Sequence, residues 1–175
     1  MRKQGLNCLK YNVVLLILAL LTFDVFAQRC FTSVEEAKKS KECVKCLDLS
    51  KQGLRDLPKE LCGFPNLKRL ILSRNRLSGE MEELKCLKEL HYLDLSSNYI
   101  ESLSESLAEL KLDTLIMWDN PCYAFSEQFS KIPLLYLDMR AIQMTRSEQK
   151  KIKDLFPGAK IRMGHPCNCG ARRDD

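Results

Sequence analysis

Four stretches of this chain repeat one template. They are Leu67–Leu77 (LKRLILSRNRL), Leu90–Ile100 (LHYLDLSSNYI), Leu112–Cys122 (LDTLIMWDNPC) and, more loosely, Val44–Leu54 (VKCLDLSKQGL). Each has an aliphatic residue at template places 1, 4 and 6, and Asn or Gln at place 9. A fifth copy, Leu134–Met144, keeps the apolar places but has Ile142 at place 9. The copies start at 44, 67, 90, 112 and 134, every 22 or 23 residues. A period in the twenties is the mark of a solenoid, in which each unit is one turn and neighbouring turns bury each other's apolar side.

Within each copy, places 4 and 6 point the same way, because strand side chains alternate with period two. Leu70 with Leu72, Leu93 with Leu95 and Leu115 with Met117 therefore line one core, and the strands that carry them should lie side by side in a parallel sheet. The chain must bend after each strand, leaving backbone groups without ladder partners. Asn75, Asn98 and Asn120 stand at that bend. An amide both donates and accepts, so a buried column of Asn can satisfy backbone of the adjoining turn. Gln52 can do so in part and Ile142 cannot, as expected of atypical terminal repeats.

These segments resemble the leucine-rich repeat family, whose consensus L-x-x-L-x-L-x-x-N-x-L they match closely. Leu57-Pro58…Leu61…Phe64 and Leu103…Leu107…Leu110 suit the family's second half-turn. The resemblance spans roughly residues 44–163. It implies an α/β solenoid, curved, with a parallel sheet of about six short strands on its concave side. It also implies protein binding rather than catalysis.

At the amino terminus, Arg2, Lys3 and Lys10 precede the apolar run Val13–Phe23, and small residues follow at Val25–Ala27. That is the layout of a secretory signal peptide over residues 1–27. The run is shorter than the ~20 residues of a membrane span, so no span is expected after leader cleavage. The expected destination is secreted or periplasmic, in the cell envelope. The whole chain carries a formal charge of +5. Three basic residues and one acidic residue leave with the leader. What remains is too mild for nucleic acid, which asks for a pronounced basic stripe.

Nine cysteines are present, and Cys8 lies in the leader. The other eight make an even set in an exported chain, which favours disulfides. Cys62 and Cys86 occupy nearly the same place in successive turns and are candidates for a bridge. Cys30, Cys43 and Cys46 cluster at one end and Cys167 and Cys169 at the other, as end caps would. Cys43-x-x-Cys46 has zinc-like spacing, and His165 joins Cys167 and Cys169 as soft ligands. Each cluster alone is short of four ligands. Six strands at about 4.8 Å would hold the two roughly 25 Å apart. No metal and no cofactor is expected.

Capping-box spacings at Ser33–Glu36 and Thr145–Glu148 predict a cap helix within 28–43 and another near 146–156. Ile152, Leu155 and Phe156 form the second helix's buried side. Residues 164–175 read as a cysteine-containing polar tail.

With the apolar places turned inward, places 2, 3, 5, 7 and 8 are left for the concave surface. This face gathers Arg69, Ile71, Arg74, Tyr92, Asp94, Ile116, Trp118, Tyr136 and Arg140 as candidate protein-binding residues. Trp118 is the only tryptophan of the chain. Exposed aromatic and aliphatic residues are the usual anchors of an interface. Basic residues lie toward the first turns and Asp113 and Asp119 toward the last, a gradient able to orient a partner. The expected function is an exported recognition module that binds a protein or peptide on the concave face. The alternative is an envelope or adhesion component that binds glycan or matrix. No catalytic residue is expected: His91 and His165 are the only histidines, and no nucleophile motif or phosphate loop accompanies them.

Overall fold

The computed structural model describes residues 30–167. The leader-like segment 1–27, Cys8, Cys169 and the tail Arg172–Asp175 lie outside the described residues. Six short strands form one open sheet: β1 Cys46–Asp48, β2 Arg69–Ile71, β3 Tyr92–Asp94, β4 Thr114–Ile116, β5 Tyr136–Met139 and β6 Lys160–Met163. All neighbours are parallel and follow chain order. The register is that of the template. Leu47, Leu70, Leu93, Leu115, Leu137 and Ile161 form one backbone-paired row. The five leucines of that row are fully buried.

On the return side of each turn the chain makes a short 3-10 helix, at Lys59–Gly63, Glu82–Cys86, Glu105–Glu109 and Glu127–Lys131. Each sends one large apolar residue into the core: Leu61, Leu84, Leu107 and Phe129. A 3-10 turn rises faster per residue than an α-helix. It therefore completes the return inside a unit of only 22 or 23 residues.

The two ends are built differently. Helix α1, Val34–Ala37, is a single turn capped by the Ser33 hydroxyl. It passes into a 3-10 segment, Lys38–Cys43, broken at Ser40. The amino-terminal cap is thus one α turn followed by an irregular run. Only Val34 and Ala37 reach the core there. The Lys-rich segment after them has no apolar side to bury. Phe31 adds a bridge to the outer edge of β1, with its N–H on the Cys46 carbonyl and its carbonyl receiving the Asp48 N–H. Helix α2, Arg146–Leu155, closes the other end with a full Thr145–Glu148 capping box and buries Ile152. Phe156, at its end, meets Phe125 edge-on.

The turn after each strand depends on the asparagines. Asn75 accepts from the Gln52 and Leu54 N–H groups and donates to the Leu49 and Leu72 carbonyls. Asn98 accepts from Leu77 and donates to Leu72, Leu95 and Ser96. Asn120 accepts from Ile100 and donates to Leu95, Met117 and Trp118. Each amide joins two consecutive turns. Place 8, just before this amide, is left-handed in every copy: Lys51 (φ 60°), Arg74 (58°), Ser97 (52°), Asp119 (58°) and Ala141 (57°). None of these is glycine, so every turn carries a strained residue.

Cys62 and Cys86 are bridged across successive 3-10 turns, Cα atoms 5.5 Å apart. Cys46 is bridged to Cys30, 4.5 Å apart, which ties the bridging segment to β1. Cys43 and Cys167 are disulfide-bonded as well. Cys122 is a free, fully buried thiol at place 11. Burial pushes its pKa up to about 11, against the weaker pull of a hydrogen bond to the Ala124 carbonyl.

Candidate protein-binding face

The open side of the sheet carries two backbone-aligned rows. One runs Cys46, Arg69, Tyr92, Thr114, Tyr136, Lys160; the other runs Asp48, Ile71, Asp94, Ile116, Asp138, Arg162. Ile71, Tyr92, Ile116 and Tyr136 are half-buried at these places, and Trp118 is half-buried just beyond β4. The strands thus bring most of the predicted side chains onto one surface.

Several of them already have partners. The Arg69 guanidinium sits over the Tyr92 ring, 4.0 Å from its centre. Burial and then the charge of Asp94 raise the Tyr92 phenol pKa, and Arg69 opposes both. Asp94 turns back to accept from the N–H and hydroxyl of Ser96. Asp48 and Asp138 likewise accept from the N–H two residues on, at Ser50 and Arg140. The three aspartates therefore fix the exit of the odd-numbered strands. Even-numbered strands have Ile71 and Ile116 in the same row.

Asp138 is 3% exposed and is held by the Arg140 side chain through Nε and Nη2, with the Tyr136 hydroxyl also donating. Burial pushes its pKa up. The hydrogen bonds and charge of Arg140, helped by Tyr136, outweigh that and leave it below the usual aspartate value. Arg140 is thus half committed to Asp138. The Trp118 indole N–H, in contrast, has no acceptor among the described residues.

Arg74 lies just beyond β2 rather than within it. It sits in the left-handed turn at place 8, and the equivalent Asp119 and Ala141 line the flank of the solenoid rather than the sheet. That flank holds an open groove of about 850 Å³ lined by Tyr99, Glu101, Asp119, Pro121, Tyr123 and Gln143, among others. Tyr99 is 63% exposed. Reading the strand places alone misses this groove, because its residues fall at places 8 to 13. Aligning those later places would have shown an aromatic at 99 and 123 and acids at 101 and 119.

His91 and Asp113 are each engaged with near neighbours. The His91 Nδ1 lies 2.7 Å from the Glu89 carbonyl, while Asp113 receives the Thr114 hydroxyl. No group of three metal-ligating side chains occurs among the described residues.

The family model for leucine-rich repeats matches residues 65–109, in two copies. A mouse protein, leucine-rich repeat and calponin homology domain-containing protein 1, is 36% identical over 93 residues, 53% of this chain but only 13% of that protein. A leucine-rich repeat protein of Leptospira interrogans superposes with a TM-score of 0.66 at 24% identity, over 86% of this chain and 38% of the other. Internalin C2 of Listeria monocytogenes gives 0.59 at 22% identity, over 77% and 57%. A plant peptide hormone receptor solved with its ligand RGF2 gives 0.52 at 25% identity, over 70% and 20%. The chain spans less than two thirds of each of these proteins. With the period, the parallel row of leucines and the amide-bonded turns already in view, these likenesses support a leucine-rich repeat family for the chain.

Proposed function

We propose that this protein is an exported recognition module, not an enzyme, and that it holds a protein or peptide against the open face of its sheet. The observation that carries the reading is the contiguous group Ile71, Tyr92, Ile116, Trp118 and Tyr136, half-buried on a face that no described element covers. Rigid aromatic side chains supply contact area at little entropic cost, and here the strand backbone fixes their spacing in advance. Arg69, held over Tyr92, adds a positively charged rim toward the first turns. The receptor–ligand complex among the similar structures supports the idea that a solenoid of this kind serves a peptide. Export is supported by the leader-like amino terminus and by the bridges Cys30–Cys46 and Cys62–Cys86, since such bonds persist in oxidising compartments.

The test is capture from the native envelope or medium, followed by titration of the captured partner. Wild type binds, and the double variant Trp118→Ala, Tyr92→Ala loses about a hundredfold or more in affinity, as two interface anchors should. Equal affinity of the two proteins would move the site off this face. Binding to a glycan array, with no protein captured, would replace the peptide reading with a carbohydrate one.

A further inference from the structure

We infer that the flank at the carboxyl ends of the strands is a self-complementary surface on which two copies of this chain pair about a two-fold axis near Tyr99. The argument starts from the place-8 ladder. Lys51, Arg74, Ser97 and Asp119 each donate their N–H to a carbonyl of the following turn, at Ser73, Ser96, Trp118 and Arg140. Their order along the solenoid is therefore fixed: two cations, a neutral residue, an anion. The next row repeats the sense. Arg76 and Tyr99 are bonded to Leu54 and Leu77, with Glu101 two residues beyond Tyr99. The flank is basic over turns one and two, acidic over turns three and four, and has an aromatic residue at the junction.

Such a surface meets itself well when one copy is turned by 180°, because an isologous interface pairs patch i with patch j and j with i. Arg74 of one copy then faces Asp119 of the other, twice over. Tyr99, at 63% exposure, packs near its own counterpart. The groove bounded by Glu101, Asp119 and Pro121 receives Arg74.

Ion pairing elsewhere in the molecule sharpens the contrast. On the return side, Lys38, Lys85, Lys88 and Lys111 each reach a glutamate within 4.0 Å. Arg74, Arg76, Glu101 and Asp119 make no ion pair among the described residues, although all are exposed. Charges left unmatched within the chain, in a pattern that matches its own inverse, are those a second copy would neutralise. The surface is distinct from the sheet face, so a pair would still present both proposed binding faces.

Sedimentation velocity and light scattering on the oxidised full-length protein test this over a wide concentration range. A reversible dimer that loosens as salt is raised is expected. Arg74→Asp and Asp119→Arg place at each turn a residue type that place 8 already tolerates in the other. Each alone should weaken self-association about tenfold or more, because like charges then face each other. The two combined in one chain should restore it, and Tyr99→Ala should weaken it independently. Circular dichroism and thermal melts verify that each variant folds. A wild-type protein that stays monomeric throughout, or a dimer indifferent to all of these variants, overturns the proposal.

Discussion

The guanidinium carbon of Arg69 lies 4.0 Å above the centre of the Tyr92 ring, across two adjacent strands. The pair is half-open to solvent, so its attraction should amount to about 0.5–1 kcal/mol. Arg69→Ala should therefore lower the unfolding free energy by about that much in urea titrations. Arg69 also holds the Tyr92 pKa down against burial and Asp94. Its removal should shift one tyrosine to higher pH in a tyrosinate absorbance titration. An unchanged titration would mean that the two side chains do not stack in solution.

Asn98 makes four hydrogen bonds to backbone in its own and the preceding turn. Asn98→Ala leaves the buried Leu77 N–H without a partner, worth about 1–3 kcal/mol, while the Leu72, Leu95 and Ser96 carbonyls each keep one other donor. A loss of about 1–3 kcal/mol is expected in chemical denaturation, large enough to separate it from an ordinary surface change.

Ala141 has a left-handed backbone, φ 57°, on an exposed turn. A glycine there escapes the Cβ clash at the expense of some unfolded-state entropy. Ala141→Gly should raise stability by about 0.5–1 kcal/mol. Ala141→Val should lower it, as a branched Cβ fits that region worst. Thermal melts of the two variants should move in opposite directions.

The carboxyl of Asp138 has a lowered pKa in the folded protein. A depressed native value means that its stabilising effect is complete above the unfolded aspartate pKa, about 3.9. The effect is lost as pH falls through the native value. Asp138→Asn should thus destabilise the protein by about 1–3 kcal/mol at neutral pH, through the lost charge-assisted bonds. The gap between variant and wild type should close in strongly acidic buffer.

The sequence carried the fold because solenoid geometry is written twice, in the period and in places 4 and 6. Leu70, Leu93 and Leu115 needed only to be aligned to give the observed register. The face was partly legible for the same reason: alternation decides which strand side chains look outward, and Tyr92, Ile116 and Tyr136 follow it. It was less legible at place 8, where the backbone is left-handed and Asp119 lines the flank groove. No glycine marks that turn, so nothing in the residue types announced it. The roles of Asp94 and Asp138 were hidden similarly, because an aspartate that reaches its neighbour's N–H looks the same in sequence as one that waits for a ligand. The Cys30–Cys46 bridge was out of reach of spacing arguments, since Cys43 stands only three residues from Cys46 and competes for the same end.

The alternation of Asp and Ile along one row also sets a scale of length. Ile71 and Ile116 are two strands apart in direct register, about 10 Å at the usual strand separation. A guest lying across the strands can place methyl groups on both only if its own side chains recur at that distance. Seven residues of α-helix cover about 10.5 Å, and three residues of extended chain cover about the same. In the binding mode proposed above, the odd-numbered turns, tied up by their aspartates, would act as spacers, and the sheet would select its guest by pitch as well as by chemistry.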